Sequence, residues 1–554
     1  MNFRRMFAPI VAILIASVPV AAQNNNGAGN TERNAEAMKK LMDSPLRKLQ
    51  IAEFAITNLY VDTLSESKLV EDAINGMLKE LDPHSSYTPA KEVQKLTEPL
   101  QGSFEGIGVQ YNMINDTLLV IQPVTNGPSE KKGIIAGDRI VLVDDTTIAG
   151  VKMTREEIMR RLRGPKGSKV KLGVIRQGVD GIQDFIVERD KIPVHTIDAS
   201  YMIEPNVGYI RISSFGATTH DEFLKAMDKL KSEGMKHLLL DLEGNGGGYM
   251  QAAVQIADEF LPKGDMIVYT DGRATGHHDY RATQGGVFEN GKLVILVDEY
   301  TASAAEIVSG AVQDNDCGLV VGRRTFGKGL VQRPIDLPDG SMIRLTVAHY
   351  YTPAGRCIQK PYTKGDKKSY DKDMLDRLNK GELMSADSIH FADSLKRKTL
   401  RLGRTVYGGG GIMPDVFVPL DTMQYTKLHR EMSAKSCIIN TALRYVDDNR
   451  KKLKKAYKNF EAFETDFEVD SKVEGALLAE VKKAKIEYND STWAEAIPMV
   501  KIQLKALIAR DLWDMNEYFK VFNPTRDIYK KGLEIIRQDD YDKYLVKPVN
   551  NDLK

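Results

Sequence analysis

The sequence predicts a multi-domain α/β protein with a mainly parallel sheet in its central part. The chain has 554 residues, enough for three or four domains of about 150 residues each. Between residues 188 and 420, short apolar strands alternate with helices, a pattern typical of a parallel sheet with its functional loops at one edge. A β-rich segment lies before this part, and helical segments lie at both ends of the chain.

The first 22 residues have the features of an export signal. Arg4 and Arg5 precede an apolar stretch from Ile10 to Val18, and small residues then lead to Ala22. We predict a signal peptide over residues 1–22 that is cleaved after Ala22. The apolar stretch is short for a membrane span, which needs about 20 residues, and an uncleaved anchor is the alternative.

Helical segments are predicted on both sides of the central part. Residues 23–95 are predicted to form a linker and a helical segment that ends before Asp82-Pro83, and residues 421–554 a lysine-rich helical domain. Both assignments rest on apolar residues at helical spacing: Leu49, Ala52, Ile56, Leu59, Val70, Ile74, Met77, Val500, Leu504, Leu507, Ile508 and Leu512. The C-terminal part is expected to serve structure or interaction.

Residues 96–187 are predicted to form a small β-rich module. Short apolar runs such as Arg139 to Val143 are separated by glycine and aspartate turn signals, with one amphipathic helix around Thr154 to Leu162. In residues 188–420 the predicted strands and helices are Leu238–Leu242, Tyr249–Phe260, Leu293–Val297, a helix that begins at about Ser303, and Leu319–Val321.

Charge and cysteine content exclude several classes of function. With 77 basic and 76 acidic residues the formal charge is +1, so the chain lacks the basic excess that broad nucleic-acid binding needs. Cys317, Cys357 and Cys437 are far apart in sequence and make neither a disulfide framework nor a zinc site. We expect neither a metal nor an organic cofactor.

Two other motifs are weak candidates for chemistry. Residues 322–329 match a phosphate-binding loop as far as Lys328, but Gly329 stands where magnesium binding needs Ser or Thr. Pro334 follows within six residues, which favours a strand or turn over the helix that such a loop must open. The adjacent His277 and His278 lie in a polar stretch without a zinc-binding helix motif.

Ser303 is the strongest candidate nucleophile. It follows the strand Leu293–Val297 and precedes a helix, where a serine is commonly an N-cap. The same position places the amide of Ala304 at a helix N-terminus, where it can stabilise a developing oxyanion. A glycine-rich loop at residues 244–248 can supply a second amide.

A serine nucleophile needs a base, and Lys328 is the candidate. A neutral lysine requires its pKa to fall from about 10.4 to near 7, which burial against apolar walls can achieve. Phe326 and Leu330 flank Lys328 and can provide such walls. The residues alone make a Ser–Lys hydrolase plausible.

At these residues the sequence resembles the carboxyl-terminal processing peptidases, or tail-specific proteases, which are exported serine peptidases with a PDZ domain. The resemblance spans about residues 45–420. Five stretches carry it: Leu81-Asp82-Pro83-His84-Ser85-Ser86-Tyr87, residues 241–248, Thr301-Ala302-Ser303-Ala304-Ala305-Glu306, residues 325–332 and residues 407–415.

The resemblance implies a role for each site residue. Ser303 is expected to be the nucleophile, Lys328 the general base and Gln332 the group that orients the lysine. The oxyanion donors are expected to be the amides of Ala304 and Gly247, and the core a crotonase-like α/β fold. The sequence departs from the family pattern where an arginine is expected at Glu243 and a proline is frequent at Gly246.

The β-rich module resembles a PDZ domain inserted before the core. Gly106, Ile107, Gly108 and Val109 fit the loop whose amides receive a peptide's C-terminal carboxylate, with the peptide added as an edge strand. The resemblance therefore implies protein or peptide substrates with accessible C-termini, and no nucleic acid.

These observations predict an exported, periplasmic serine endopeptidase that recognises C-terminal tails through its PDZ domain and cuts with Ser303, Lys328 and Gln332. The alternative is a PDZ peptide-binding scaffold on a catalytically silent core. A third hypothesis gives the C-terminal helices the functional role, as a homo-oligomerisation or adaptor-docking unit.

Overall fold

In a computed structural model of the chain, residues 44–283 and 285–546 are described. The predicted signal peptide, residues 1–22, lies outside them. The chain divides after Met77 into two compact units. In the first unit, a helix over Pro45–Leu59 begins with Ser44 as N-cap and Pro45 at its first position, and a second helix, Glu66–Lys79, begins after a short connection.

A six-stranded sheet forms the centre of the second unit. The first two strands are antiparallel and all later neighbours are parallel, so the predicted parallel sheet is confirmed. In spatial order the strands are Ile197–Glu204, Val207–Ile212, His237–Asp241, Leu293–Val297, Leu319–Gly322 and Val416–Phe417. The loops after the parallel strands meet at one edge, where sites are expected.

Helices cover both faces of this sheet because its central strands are apolar on both sides. Leu238 and Leu240 belong to a core cluster with three helices, Thr219–Ser232, Met250–Asp258 and Ala304–Asp314. Leu239 points to the other face. There the cover comes from the end of the chain, through helices Met515–Phe522, Asp527–Arg537 and Tyr541–Val546. The last helices of the predicted C-terminal domain therefore complete the core around the central sheet.

An antiparallel sheet packs beside the first and was not predicted. Its strands are Ser86–Thr88, Met266–Gly272, Gly276–Arg281, Leu330–Asp336 and Met342–Tyr351, and the last of these pairs with three of the others. A helix over Lys367–Asn379 and a two-stranded ribbon of Lys396–Lys398 and Thr405–Tyr407 follow in sequence.

The β-rich module has its own apolar core around Leu118, Ile140 and Leu172. Helices Pro128–Lys131 and Arg155–Leu162 accompany its strands, which are Val109–Ile114, Thr117–Pro123, Arg139–Val143, Thr146–Thr147, Lys169–Ile175 and Gln183–Glu188. Ser103–Gly106 pairs with Asp190–Pro193 at the entry and exit of the module. The boundary predicted between residues 95 and 96 falls inside a helix, Ala90–Gln101.

The remaining helices form a separate apolar cluster before the chain returns to the sheet. They are Lys427–Ala434, Cys437–Ala456, Phe460–Asp466, Ser471–Lys483 and Asp490–Leu512. No helix in the described ranges has both the length and the apolar character that crossing a membrane requires.

Candidate active site

The turn after strand Leu293–Val297 presents Ser303 at the start of helix Ala304–Asp314, as the sequence predicted. Ser303 has φ 57° and ψ −116°, a backbone conformation that non-glycine residues rarely adopt. Asp298 fixes the turn by accepting hydrogen bonds from the amides of Tyr300 (3.0 Å) and Thr301 (2.9 Å). Strain of this kind persists where surrounding contacts hold it, and such positions are frequent at active sites.

The amide of Ala304 is free at the helix N-terminus. Ala305 and Glu306 donate their amides to the carbonyls of Ala302 and Ser303, whereas the Ala304 amide has no acceptor in the described part of the chain. The helix dipole adds partial positive charge at this point. This amide is therefore available to a negatively charged oxygen in the cavity that Ser303 lines.

Lys328 lies in the same cavity, two residues before strand Leu330–Asp336. Its Nζ donates to Oε1 of Gln332 at 3.0 Å. The pKa of Lys328 is lowered from 10.5 to about 8, mainly by burial and then by positive Arg344, while negative Glu306 and Asp82 oppose the shift. Because a strand follows Lys328, the phosphate-loop interpretation, which needs a helix there, is excluded.

Gln332 is oriented by a backbone carbonyl. Its Nε2 donates to the carbonyl oxygen of His84 at 2.6 Å, and a carbonyl only accepts hydrogen bonds. The amide oxygen of Gln332 is thereby left to face the ammonium of Lys328. His84 itself is held by a 2.8 Å hydrogen bond between its Nε2 and the hydroxyl of Tyr370.

The buried carboxylate of Glu306 joins the backbones of the two candidate catalytic residues. Oε2 accepts from the amides of Ser303 (2.8 Å) and Lys328 (2.9 Å). Oε1 accepts from the Thr325 hydroxyl (2.5 Å) and the Gly327 amide (2.7 Å). Burial raises the pKa of Glu306, and these hydrogen bonds oppose the rise by favouring the carboxylate.

Tyr350 makes a second link between the same two backbones. Its hydroxyl lies 3.0 Å from the carbonyl oxygen of Ser303 and 2.6 Å from that of Lys328. The side chain is 1% exposed, and burial raises the pKa of Tyr350 well above its usual value, so the hydroxyl remains a donor. Glu306 thus joins the backbone amides of Ser303 and Lys328, and Tyr350 joins their carbonyl oxygens. Together the two side chains fix the distance between Ser303 and Lys328.

The glycine loop, residues 243–248, forms the facing wall of the cavity. A Cβ at Gly247 would lie 2.7 Å from Cβ of Ser303 and 3.0 Å from the Ala304 nitrogen, so a side chain there would displace Ser303. Gly247 also has φ 99°, which favours glycine. Its amide donates to Oδ1 of Asn245 at 2.8 Å. To act as the predicted oxyanion donor, the Gly247 amide must therefore give up its hydrogen bond to Asn245 or share it with the oxyanion.

The cavity has a volume of about 420 Å³ and mainly apolar walls. Leu96, Thr97 and Leu100 of helix Ala90–Gln101 form one side of it. Further apolar lining residues come from helices and strands of the two large sheets: Met250, Ile307, Leu330, Val331, Pro334 and Met342. The cavity can accept an apolar side chain beside Ser303.

The predicted carboxylate-binding loop opens a second, smaller cavity in the β-rich module. Gly106, Ile107, Gly108 and Val109 line it, and within the described residues the amides of Ile107 and Gly108 have no acceptor. Arg163 also lines this cavity and forms an ion pair with Glu98 of helix Ala90–Gln101. Helix Ala90–Gln101 therefore borders the Ser303 cavity and is also joined, through Glu98, to Arg163 of the second cavity.

The other candidates do not gather into a site. His277 and His278 lie on an exposed strand, with His277 bonded to Asp279. Cys317, Cys357 and Cys437 are free thiols. In the described part of the chain, no group of three or more His, Cys, Asp or Glu side chains is placed to hold a metal ion.

Comparisons with known proteins find matching family models along the chain. The model of peptidase family S41 matches residues 206–369, and that of the PDZ domain matches residues 106–195. The N-terminal domain of the activating protease CtpB matches residues 13–92. A family of unknown function matches residues 428–514, within the C-terminal helices.

Two relatives decide the family. The carboxy-terminal-processing protease of Bartonella bacilliformis is 36% identical over 319 residues, which cover 56% of this chain and 73% of the relative. The carboxy-terminal processing protease CtpA of Bacillus subtilis is 34% identical over 374 residues, covering 67% and 79%. The chain belongs to the carboxy-terminal processing protease family. It is a serine-type peptidase with a PDZ domain.

Among solved structures, the photosystem II D1 C-terminal processing protease is 30% identical. The match covers 57% of this chain and 90% of that one, with a TM-score of 0.31.

Several residues that organise the site of this carboxy-terminal processing protease were not predicted as functional. His84 and Glu306 lie within the stretches that carry the family resemblance, so the motifs contained the signal without indicating a role. Tyr350 lies outside those stretches, in a strand that reaches Ser303 and Lys328 only through tertiary folding. No local pattern in the sequence marks it.

Proposed function

We propose that this protein is an exported, periplasmic endopeptidase that captures C-terminal tails at its PDZ loop and cuts peptide bonds with Ser303 and Lys328 on a crotonase-like core. The observation that carries the proposal is the state of Lys328. Its Nζ shares a mainly apolar cavity with Ser303, and its pKa is lowered to about 8, so neutral lysine is accessible near physiological pH.

In the proposed reaction, neutral Lys328 takes the proton of the Ser303 hydroxyl as Oγ attacks the scissile carbonyl. The Ala304 amide and a glycine-loop amide stabilise the oxyanion, and protonated Lys328 gives its proton to the leaving amine. Water then hydrolyses the acyl-enzyme, with Lys328 again as the base. Gln332 keeps the amine directed into the cavity throughout.

Tail recognition is supported by the second cavity. The free amides of Ile107 and Gly108 can receive a carboxylate, and a strand edge beside them can pair with an extended peptide. Substrates with an accessible C-terminus are therefore expected to be cut faster than the same chains with a blocked C-terminus.

The test uses the chain from Gln23 and an unstructured polypeptide ending in apolar residues, with cleavage followed by mass spectrometry. Ser303→Ala and Lys328→Ala are compared with the wild type, and the polypeptide is offered with a free or an amidated C-terminus. We expect cleavage by the wild type alone, faster for the free C-terminus, and a loss of at least about 10³-fold in each variant.

Each other outcome has a definite meaning. Equal cleavage by all three proteins would contradict the Ser303–Lys328 assignment. Binding of the tail by a folded wild type without cleavage would favour the PDZ scaffold. Equal rates for free and amidated substrates would remove the proposed tail recognition while leaving the peptidase intact.

A further inference from the structure

The glycine loop begins beside one buried and one partly exposed carboxylate. Asp241 ends strand His237–Asp241 and is 0% exposed, and Glu243 follows two residues later, at the position where the resemblance leads one to expect arginine. The Glu243 amide donates to Oδ1 of Asp241 at 2.9 Å, which holds the two residues close together. Two carboxylates in a poorly solvated place repel each other unless cations lie beside them.

One of the compensating cations comes from the C-terminal helices. Arg526 directly precedes helix Asp527–Arg537, and its Nη1 donates to Oδ2 of Asp241 at 2.8 Å. Its Nη2 lies 2.7 Å from Oε1 of Glu243. Arg526 therefore bridges both carboxylates with one guanidinium, a geometry that lysine cannot reproduce.

The second cation belongs to the sheet itself. Nη1 of Arg211 lies 2.7 Å from Oδ2 of Asp241, and Nη2 donates to the carbonyl oxygen of Glu243 at 2.7 Å. Two cations thus lie beside these two carboxylates at the root of the glycine loop, and Arg211 also lies 3.6 Å from Asp198. Removing Arg526 would leave one carboxylate uncompensated at the point where the loop starts.

A short series of contacts connects Glu243 to Ser303. The next residue, Gly244, donates its amide to Asp298 at 2.9 Å, the residue that also fixes the Ser303 turn. Asn245 accepts the amide of Ala302 on its backbone carbonyl at 2.9 Å. The far end of the loop places Gly247 against Ser303.

We propose that Arg526 is a positioning residue of the active site: it holds the root of the glycine loop so that a loop amide faces the oxyanion. The C-terminal helices then contribute to catalysis without touching the substrate. This inference rests on the proposed function, because it concerns the oxyanion donors of the Ser303–Lys328 reaction.

The test compares Arg526→Gln with the wild type in the full chain from Gln23. A misplacement of about 1 Å can cost up to about 100-fold in rate, so we expect kcat to fall about 10- to 100-fold with KM changed less than about threefold. Hydrogen exchange of the resting protein is measured in parallel. The amides of residues 243–248 are expected to exchange faster in the variant, a readout that needs no catalysis.

Arg537→Gln is the matched control. Arg537 lies on the same helix and forms an ion pair with Glu204 of the core sheet at 2.8 Å, but it does not contact the glycine loop. Its removal is expected to leave kcat and the exchange of residues 243–248 unchanged. If both variants lose activity equally, the effect is one of general docking and the positioning role is wrong.

Folding failure is covered by a charge exchange. If Arg526→Gln does not fold, Arg526→Glu is compared with the double variant Arg526→Glu/Glu243→Arg. The double variant again has two positive and two negative side chains among residues 211, 241, 243 and 526. Recovery of folding and kcat in the double variant supports the proposal, and equal loss in both overturns it. Unchanged kcat and unchanged loop exchange in a folded Arg526→Gln also overturn it. Absence of cleavage by the wild type instead contradicts the proposed function.

Discussion

The proposed nucleophile and base of this peptidase are held by helix Ala304–Asp314 and strand Met342–Tyr351, whereas the glycine loop that faces them is held in part by the C-terminal helices. Glu306 and Tyr350 contact the backbones of both Ser303 and Lys328, and both are buried core residues. The root of the loop depends on Arg526, which lies 285 residues after Asp241 in sequence.

The difference separates two requirements of the reaction. Transfer of a proton from Ser303 to Lys328 needs a fixed spacing between two residues, which one buried carboxylate can enforce. Stabilising the oxyanion needs a loop amide to point into the cavity, and in the resting structure the Gly247 amide is bonded to Asn245. The glycine loop is therefore the part of the site in which an amide must change its hydrogen bond. It is also the part that contacts from the C-terminal helices can influence.

Among the residues that position Ser303 and Lys328, the largest effect is expected for Glu306→Ala. The change leaves the amides of Ser303, Gly327 and Lys328 without their acceptor in a buried place, so both activity and stability should fall. We expect a loss of about 10²- to 10³-fold in kcat and of about 3–4 kcal/mol in the free energy of unfolding. Steady-state kinetics and denaturant unfolding measure the two effects.

The control for Glu306 is Glu299→Gln, which alters a buried carboxylate of the same connection. Glu299 pairs with Arg323 at 2.6 Å and does not contact Ser303 or Lys328. It is expected to lower stability but to leave kcat of the folded fraction near the wild-type value. A larger loss of kcat for Arg526→Gln than for Glu306→Ala would mean that the glycine loop, rather than the spacing of Ser303 and Lys328, is the more sensitive part of the site.

The pH dependence tests the base directly. The pKa of Lys328 is lowered to about 8, and only the neutral amine can accept the Ser303 proton. The logarithm of kcat/KM should therefore rise with a slope of about one per pH unit well below pH 8, about 50-fold from pH 6 to 8, and level off about twofold higher above pH 9. A profile that is flat from pH 6 to 9 with chemistry rate-limiting would remove Lys328 as the base.

Stability gives an independent check on the same group. The folded-state pKa of about 8 lies below the value of 10.5 for a free lysine, so the unfolded chain binds more protons between these values. Lys328 therefore destabilises the fold fully below pH 8, by at most about 3 kcal/mol, and this penalty disappears as the pH rises to 10.5. Lys328→Met should lack this rise in the free energy of unfolding between pH 8 and 10.5.

A smaller effect is expected from a charge placed beside the base. Gln332→Glu puts a carboxylate about 3 Å from Nζ of Lys328, where it should raise the pKa of the amine by about one to two units. The midpoint of the kcat/KM profile then moves to higher pH, while the plateau is approached again at alkaline pH. Gln332→Met is the neutral control, and its midpoint should not move upwards. Identical midpoints for the two variants would show that Gln332 does not contact the base in solution.

Three neighbouring strands of the core sheet could be predicted from sequence because their apolar runs are local features. Leu293–Val297 is a continuous apolar run bounded by polar residues, and the structure gives the same bounds. Ser303 could be placed at a helix start for the same reason. In contrast, helix Ala90–Gln101 was divided between two predicted domains, because it is polar and contains Pro99.

The contacts that organise the site are of another kind. Glu306 was part of a recognised motif, but three of its four hydrogen bonds come from a loop about 20 residues away in sequence. Tyr350 and Arg526 reach the site from other strands and helices, and their own neighbours in sequence give no sign of this. Periodicity and capping report on adjacent residues, so such long-range partners become visible only when the strand order is known.

The smallest effect is expected for Tyr350→Phe, which removes one hydroxyl and keeps the buried ring. The carbonyls of Ser303 and Lys328 lose a shared donor, but Glu306 still joins their amides, so the spacing is loosened rather than lost. We expect kcat to fall about 3- to 10-fold and the free energy of unfolding by about 1–2 kcal/mol. The double variant Tyr350→Phe/Glu306→Ala extends the test. If the two side chains set one spacing together, their effects on kcat should not add, whereas additive effects would show that each acts on a different part of the site.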